Sequence, residues 1–338
     1  MADDDQRSAQ PDDLAHTQDR IDRDTARAGH AALLDTLADL LLRELDPLLA
    51  RQIATDPALG PLLVPPVSDD GIRHLRGDYA RLLLIEIPPY GSVYLDNPPT
   101  IGGRSTLQWE RLLGRLGYTP AALERAAASD HAGLALRALA RAERDMERAD
   151  EAGLVFAAIV RWLPQCCTAL ADSAGDTFYG HVAELMALTI QEYTPPASPA
   201  VLAGLSTYPW EEDATPSAFM PSPNDDLRTL TRWLCTPVQS GWYLSKERIR
   251  HLARAFGVGT AIVERERMLE QVFEASGLDR RTVDLIDSLL VDWERWSRAQ
   301  RGWGSALGTW ASHLDDWRAA LDRCHTALSV ARAAIAES

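Results

Sequence analysis

Apolar residues recur along this chain at steps of three and four, the spacing that gathers them on one face of an α-helix. Leu33, Leu37, Leu40, Leu41, Leu45 and Leu48 form a first stripe, after which Pro61, Pro65 and Pro66 mark a connection. The segment 78–87 runs into Pro88-Pro89, and a residue ahead of proline is pushed out of helical geometry. The stretch PPYGSVYLDNPPTIGG therefore reads as a turn-rich loop anchored by Tyr90, Val93 and Tyr94. Helical spacing resumes over 107–116, stops at Gly117 and restarts near Pro120, with Leu134, Leu136, Leu139 and Met146 continuing it. Leu154, Val155, Ile159 and Trp162 make a stripe interrupted at Pro164. Phe178, Val182, Leu185, Met186, Ile190 and Tyr193 make another.

Residues 194–226, with PPASP, YPWEED and PSAFMPSPNDD, carry the strongest boundary signal in the chain. Helices are expected again over 227–235, 245–256, 262–275 and 283–296. A last helix carries Leu307, Trp310, Leu314, Trp317, Leu321, Cys324, Leu328, Ala331 and Ile335. These positions alternate steps of three and four, a 3.5-residue seam that packs inside its own bundle or joins two copies as a homodimer through 305–336. Eight of the ten tryptophans fall within 210–317, and no run of alternating β-branched residues occurs. The pattern predicts an all-α protein. Its parts are a disordered acidic tail over 1–28, a helical domain over 29–193, a Pro-rich linker over 194–226 and a C-terminal helical region over 227–338.

With 34 Lys+Arg against 49 Asp+Glu, the 338 residues carry a formal charge of −15. That field repels polyanions, which argues against a nucleic-acid partner and against an anionic membrane surface. No stretch approaches the ~18 apolar residues a membrane span needs. The first twenty residues have neither the basic nor the apolar region of a secretory signal. Four scattered cysteines do not make a disulfide framework in a chain this long, so the cytoplasm is the expected compartment. A Gly-rich phosphate loop, a GxSxG elbow and HExxH are all missing, and the eight histidines are spread singly. Neither a metal site nor a cofactor is expected.

Three places combine polar and apolar groups in ways a plain core does not require. In PPYGSVYLD, two prolines fix the backbone while Tyr90 and Tyr94 offer flat faces with a polar tip, suited to gripping an apolar peptide. In SDHAGLALRALARAE, Asp130-His131 stands near a helix start, as a cap with an exposed histidine or as a carboxylate supporting a charged imidazole. In RWLPQ and DTFYGHVAEL, Trp162-Leu163 precedes Pro164, and Phe178-Tyr179 opens the next helix.

In this order, the segments resemble the TorD/DmsD family of chaperones for molybdenum-containing oxidoreductases. The resemblance rests on Tyr79, Pro89, Tyr90, Ser92, Val93, Tyr94, Leu95, Asp130, His131, Trp162, Leu163, Pro164, Phe178 and Tyr179, across residues 78–193. Two departures stand out: Ser129 where many relatives have proline, and Gly91 where an acidic residue is common. The stretch CTPVQSGWYLSKERIRHLARAFGVG, starting at residue 235, is similar to the C-terminal extension of a subgroup. That subgroup serves dimethylsulfide, chlorate, selenate or ethylbenzene dehydrogenase-type enzymes.

The resemblance implies a non-catalytic, TorD-like helical bundle. It would bind the catalytic subunit of a molybdopterin oxidoreductase and its twin-arginine leader, and hold it until cofactor insertion. Client-peptide binding would fall to Tyr79, Pro89, Tyr90, Ser92, Tyr94, Trp162, Phe178 and Tyr179, with Asp130 and His131 at the rim. Glu211, Glu212 and Asp213 are a second candidate for the arginine pair. The alternatives are an all-α enzyme using Asp130 and His131 as acid and base, and a dimeric helical adaptor.

Overall fold

A computed structural model describes residues 11–63, 68–117, 128–145, 149–193, 195, 220, 221, 225–259 and 263–337. Among them are fifteen α-helices and no strand, so the all-α expectation is met. Helix α1 (Pro11–Leu42) reaches back into the segment expected to be a disordered tail. No glycine or proline falls between residues 12 and 28, so nothing breaks the helix that the packed part nucleates. Arg27 ties it down by donating to the Glu143 carbonyl at 2.6 Å. Residues 1–10, Pro120, Met146 and most of the 194–226 linker lie outside the described residues.

Helix α2 (Pro47–Thr55) starts afresh at Asp46, whose carboxylate accepts from Leu48 N and Leu49 N at 2.8 Å. This new start takes Leu48 off the first stripe, and it is exposed while Leu37, Leu40, Leu41 and Leu45 are buried. Helix α3 (Asp69–Tyr79) passes into a π-helical turn (Ala80–Glu86), and α4 (Gly91–Leu95) and α5 (Arg104–Arg115) follow. Helices α6 (Ala132–Arg144), α7 (Ala149–Val160), α8 (Leu163–Ala174) and α9 (Phe178–Glu192) complete the first half. Pro164 does not end a helix. It sits in the first turn of α8, where its missing N–H has no intrahelical partner to lose, and α7 and α8 meet at a 50° bend.

The second half holds α10 (Leu227–Leu234), α11 (Pro237–Ser240), α12 (Lys246–Ala255), α13 (Arg265–Leu278), α14 (Thr282–Ala306) and α15 (Asp315–Ala336). The expected last helix is interrupted by a 3-10 stretch, Gly308–Leu314. All the seam positions from Leu307 to Leu328 are buried within the chain itself, so that part of the seam serves the bundle rather than a second copy.

The tryptophans of this half fasten it to the first. Gln165, fully buried on α8, accepts from Trp296 Nε1 at 3.1 Å and Gln300 Nε2 at 2.8 Å. Trp317 Nε1 donates to the Arg161 carbonyl, and Phe156 meets Trp310 edge-on at 5.3 Å. One apolar core runs through both halves. No single described helix is long and apolar enough to cross a membrane.

Helix α1 packs most extensively on α6. The approach is close at Gly133, where a Cβ would lie 2.6 Å from Leu42 Cγ and 2.8 Å from the Ala38 carbonyl oxygen. Gly133→Ala is therefore expected to destabilise the protein by about 1–3 kcal/mol through overpacking. Gly114→Ala, with nothing within 4 Å of its new methyl, should stabilise α5 by about 0.5–1 kcal/mol. Urea unfolding of the two variants checks both signs.

Candidate functional site

The two prolines of the PPYGSVYL loop leave few backbone donors, and two of those that remain, Gly91 N and Ser92 N, meet Asp130. Pro89 O accepts from Ala132 N at 2.8 Å, and Asp130 O accepts from Gly91 N at 2.9 Å, an isolated antiparallel bridge between Tyr90 and His131. The Asp130 carboxylate completes the join: Oδ2 accepts from Ser92 N at 2.6 Å and Oδ1 from Thr106 Oγ1 at 2.9 Å. Tyr90, at the cap position of α4, supplies no side-chain acceptor, so Asp130 caps that helix from 38 residues away. Ser129 Oγ donates to the Thr106 carbonyl at 3.0 Å, a bond the proline common at this position could not make.

His131 is itself the cap of α6. Its Nδ1 accepts from Gly133 N at 3.0 Å, which fixes the neutral tautomer with the proton on Nε2. Tyr90 stands edge-on to the ring at 4.8 Å. Burial pulls the imidazole down to about 4, because water is excluded from the charged form.

Behind the bridge, Tyr94 stacks on Trp162 at 5.9 Å and tilts against Tyr243 at 5.3 Å. Gly91 is what lets the loop lie on the indole, since a Cβ there would sit 3.2 Å from Trp162 Nε1 and Cε2. A longer side chain at 91 would displace Trp162, a physical reason for this departure from the family pattern. Tyr79 donates its hydroxyl to the Leu41 carbonyl at 3.0 Å, and its ring lies 6.1 Å from that of Tyr179. Phe178 meets Tyr179 edge-on at 5.2 Å.

The structure thus places the ten expected binding residues in two aromatic clusters, but not along an open groove. Tyr79, Pro89, Ser92, Tyr94, Asp130, His131, Trp162, Phe178 and Tyr179 are buried, and Tyr90 alone is half-buried. Asp130 and His131 do not form a rim: both turn inward because the loop and helix amides they cap would otherwise be buried without partners. Glu211, Glu212 and Asp213 lie outside the described residues.

Glu86 was not singled out by spacing, yet it ties the segment just before the loop to the C-terminal half. It is 1% exposed, pairs with Arg250 and accepts from Glu247 N at 2.9 Å, while Tyr243 donates its hydroxyl to the Glu86 carbonyl at 2.8 Å. The signal was a lone carboxylate inside the apolar run 82–87. Such a group is buried only when a cation partners it, and here the cation comes from the C-terminal half. Cys166 and Cys167 are buried free thiols, and burial pushes Cys166 up to about 12, which leaves it unreactive.

Two outcomes follow. Asp130→Ala strands a buried N–H and a buried hydroxyl and is expected to destabilise the fold by about 2–4 kcal/mol, read as a shifted urea midpoint with an unchanged slope. For His131, the folded group titrates below its unfolded value, so its contribution is complete above the unfolded range and disappears as pH falls toward 4. Between pH 7 and pH 5 the wild type should lose about 2 kcal/mol on this account. His131→Asn, which keeps a capping acceptor but does not titrate, should flatten that dependence.

Residues 31–168 match the sequence model of the nitrate reductase delta subunit family, a span that holds the whole bridge, Trp162 and Pro164 but not Phe178-Tyr179. No curated protein matches the chain. That family comprises maturation chaperones of molybdoenzymes rather than catalysts. By this match, residues 31–168 are similar to the nitrate reductase delta subunit family, the NarJ/TorD type of molybdoenzyme chaperone.

Proposed function

We propose that the protein is a cytoplasmic maturation chaperone. It binds the catalytic subunit of a molybdopterin oxidoreductase, through its twin-arginine leader and its apo form, and holds it until the cofactor is inserted. The observation that carries this reading is the family match over residues 31–168, across the segment whose PPYGSVYL and Asp130-His131 motifs meet in one buried bridge. The motifs act by positioning. Asp130, His131 and Trp162, all buried, hold the loop, and the parts left to a client are the half-buried Tyr90 and the π-helical turn before it, which exposes Leu84 and Ile85. π-Helical turns are frequent at functional sites.

An acid–base enzyme has less to support it. Asp130 and His131 direct their acceptors at the amides of Ser92 and Gly133 and the Thr106 hydroxyl. A reacting group would have to displace bonds that hold the fold. A micromolar complex, suited to an escort that must release, needs only about 8 kcal/mol, which a few sheltered apolar contacts and charge-assisted hydrogen bonds of ~1.5–3 kcal/mol each provide. The subgroup serving dimethylsulfide or ethylbenzene dehydrogenase-type enzymes is the client class suggested by the segment from residue 235.

The test is co-expression with the catalytic subunit of a molybdopterin oxidoreductase from the same genome, followed by metal analysis of the purified subunit. A several-fold higher molybdenum content per subunit in the presence of this protein is the expected result. Equal content with and without it contradicts the proposal.

A further inference from the structure

The two halves also face each other across a cleft of about 270 Å³. Ala171 of α8 lines one side; Trp242 and Tyr243, just ahead of α12, and Trp296 and Ala299 of α14 line the other. Three aromatic side chains thus contribute to its walls. Trp242 is buried, and its indole N–H has no hydrogen-bond partner among the described residues.

A row of alternating charges crosses the same cleft. Asp172 of α8 pairs with Arg295 of α14 at 3.1 Å, Arg295 reaches Asp292 at 2.9 Å, and Asp292 holds Arg248 of α12. Asp292 is 5% exposed, and each of its oxygens is taken by one arginine. The arginines keep something over. Arg248 Nη1 meets His251 Nδ1 at 3.1 Å, but Arg248 Nη2 and Arg295 Nε have no hydrogen-bond partner among the described residues. The surplus along the row is therefore of donors.

Spare guanidinium N–H groups are best matched by a carboxylate or a phosphate. Two arginines set against two aspartates leave the row neutral, so it has room for one added negative charge. A phosphate dianion or a polyphosphate would bring further charge close to Asp172 and Asp292, which repel it. The walls ask for a flat apolar body, since aromatic rings stack offset or edge-on with one another. The volume, at the lower end of ligand sites, suits one or two fused rings with a short arm.

We propose that this cleft binds a small aromatic monocarboxylate, its ring against Trp242 and Trp296 and its carboxylate on the spare N–H groups of Arg248 and Arg295. Such a ligand touches α8 and the C-terminal half at once, so its binding free energy adds to the joint between them. The proposal concerns a small molecule and is independent of the chaperone reading.

The test uses the full chain with 15N-labelled tryptophan and titrates it with benzoate, 3-phenylpropionate and indole-3-acetate. The Trp242 and Trp296 indole resonances, assigned with Trp242→Phe and Trp296→Phe, should shift with a Kd of about 1 mM or tighter for at least one acid. Trp310, which packs on Phe156 and does not line the cleft, should stay in place. The neutral amide of the same acid should bind at least about tenfold more weakly. Arg295→Met should weaken the acid by a similar factor, whereas Arg298→Met, an exposed arginine of the same helix, should leave Kd unchanged. Ala299→Phe, which fills the cleft, should abolish the shifts.

Absence of shifts with all three acids overturns the site, and so does equal affinity for the acid and its amide. Unchanged Kd in both Arg295→Met and Ala299→Phe overturns it as well. If those variants do not fold, the wild-type comparison of acid with amide at the two indole resonances decides.

Discussion

One buried carboxylate governs how the first half of this molecule assembles. Asp130 cannot be left without donors in an apolar interior, and the donors it takes, Ser92 N and Thr106 Oγ1, lie 38 and 24 residues upstream. Satisfying it fixes the PPYGSVYL loop against the start of α6. With the loop fixed, α4 begins where Tyr94 can lie on Trp162, and Trp162 begins α8. From α8, Gln165 reaches Trp296 and Gln300 of the C-terminal half. A chain of single contacts therefore runs from one aspartate to the far end of the bundle.

The helices were legible because each buries one face, and a one-sided helix declares itself by its spacing. The first stripe, the α9 stripe and the α15 seam all read correctly at most positions. The failures come where local chemistry overrides periodicity. Asp46 caps a new helix and carries Leu48 to the surface, and Pro164 opens a helix rather than closing one. The motif residues were legible as a set, but their exposure was not. A tyrosine suited to gripping a peptide and a tyrosine that plugs a core have the same identity. What separates them here is the tertiary pairing of segments distant in sequence. The Glu86–Arg250 pair was half visible, since a carboxylate inside an apolar run demands a cation, but spacing does not say which of many arginines supplies it.

The burial of the motif changes what the family's marker residues do in this chain. They give the loop one conformation, and under the proposed function the surface left for a client is what the loop region presents outward, the half-buried Tyr90 with the exposed Leu84 and Ile85. That division suits a protein that must let its partner go. The two halves share one core and are joined at Glu86, immediately before the loop, by its pair with Arg250.

Native-state hydrogen exchange tests this account most directly, with the free protein compared to its complex with the client subunit. The amides of Gly91, Ser92 and Ala132 should exchange only through global unfolding, at the same slow rate in both states, while protection on binding appears elsewhere. Fast exchange of those three amides in the free protein, slowed when the client is added, would mean that the bridge opens to form the binding groove itself and would contradict the account.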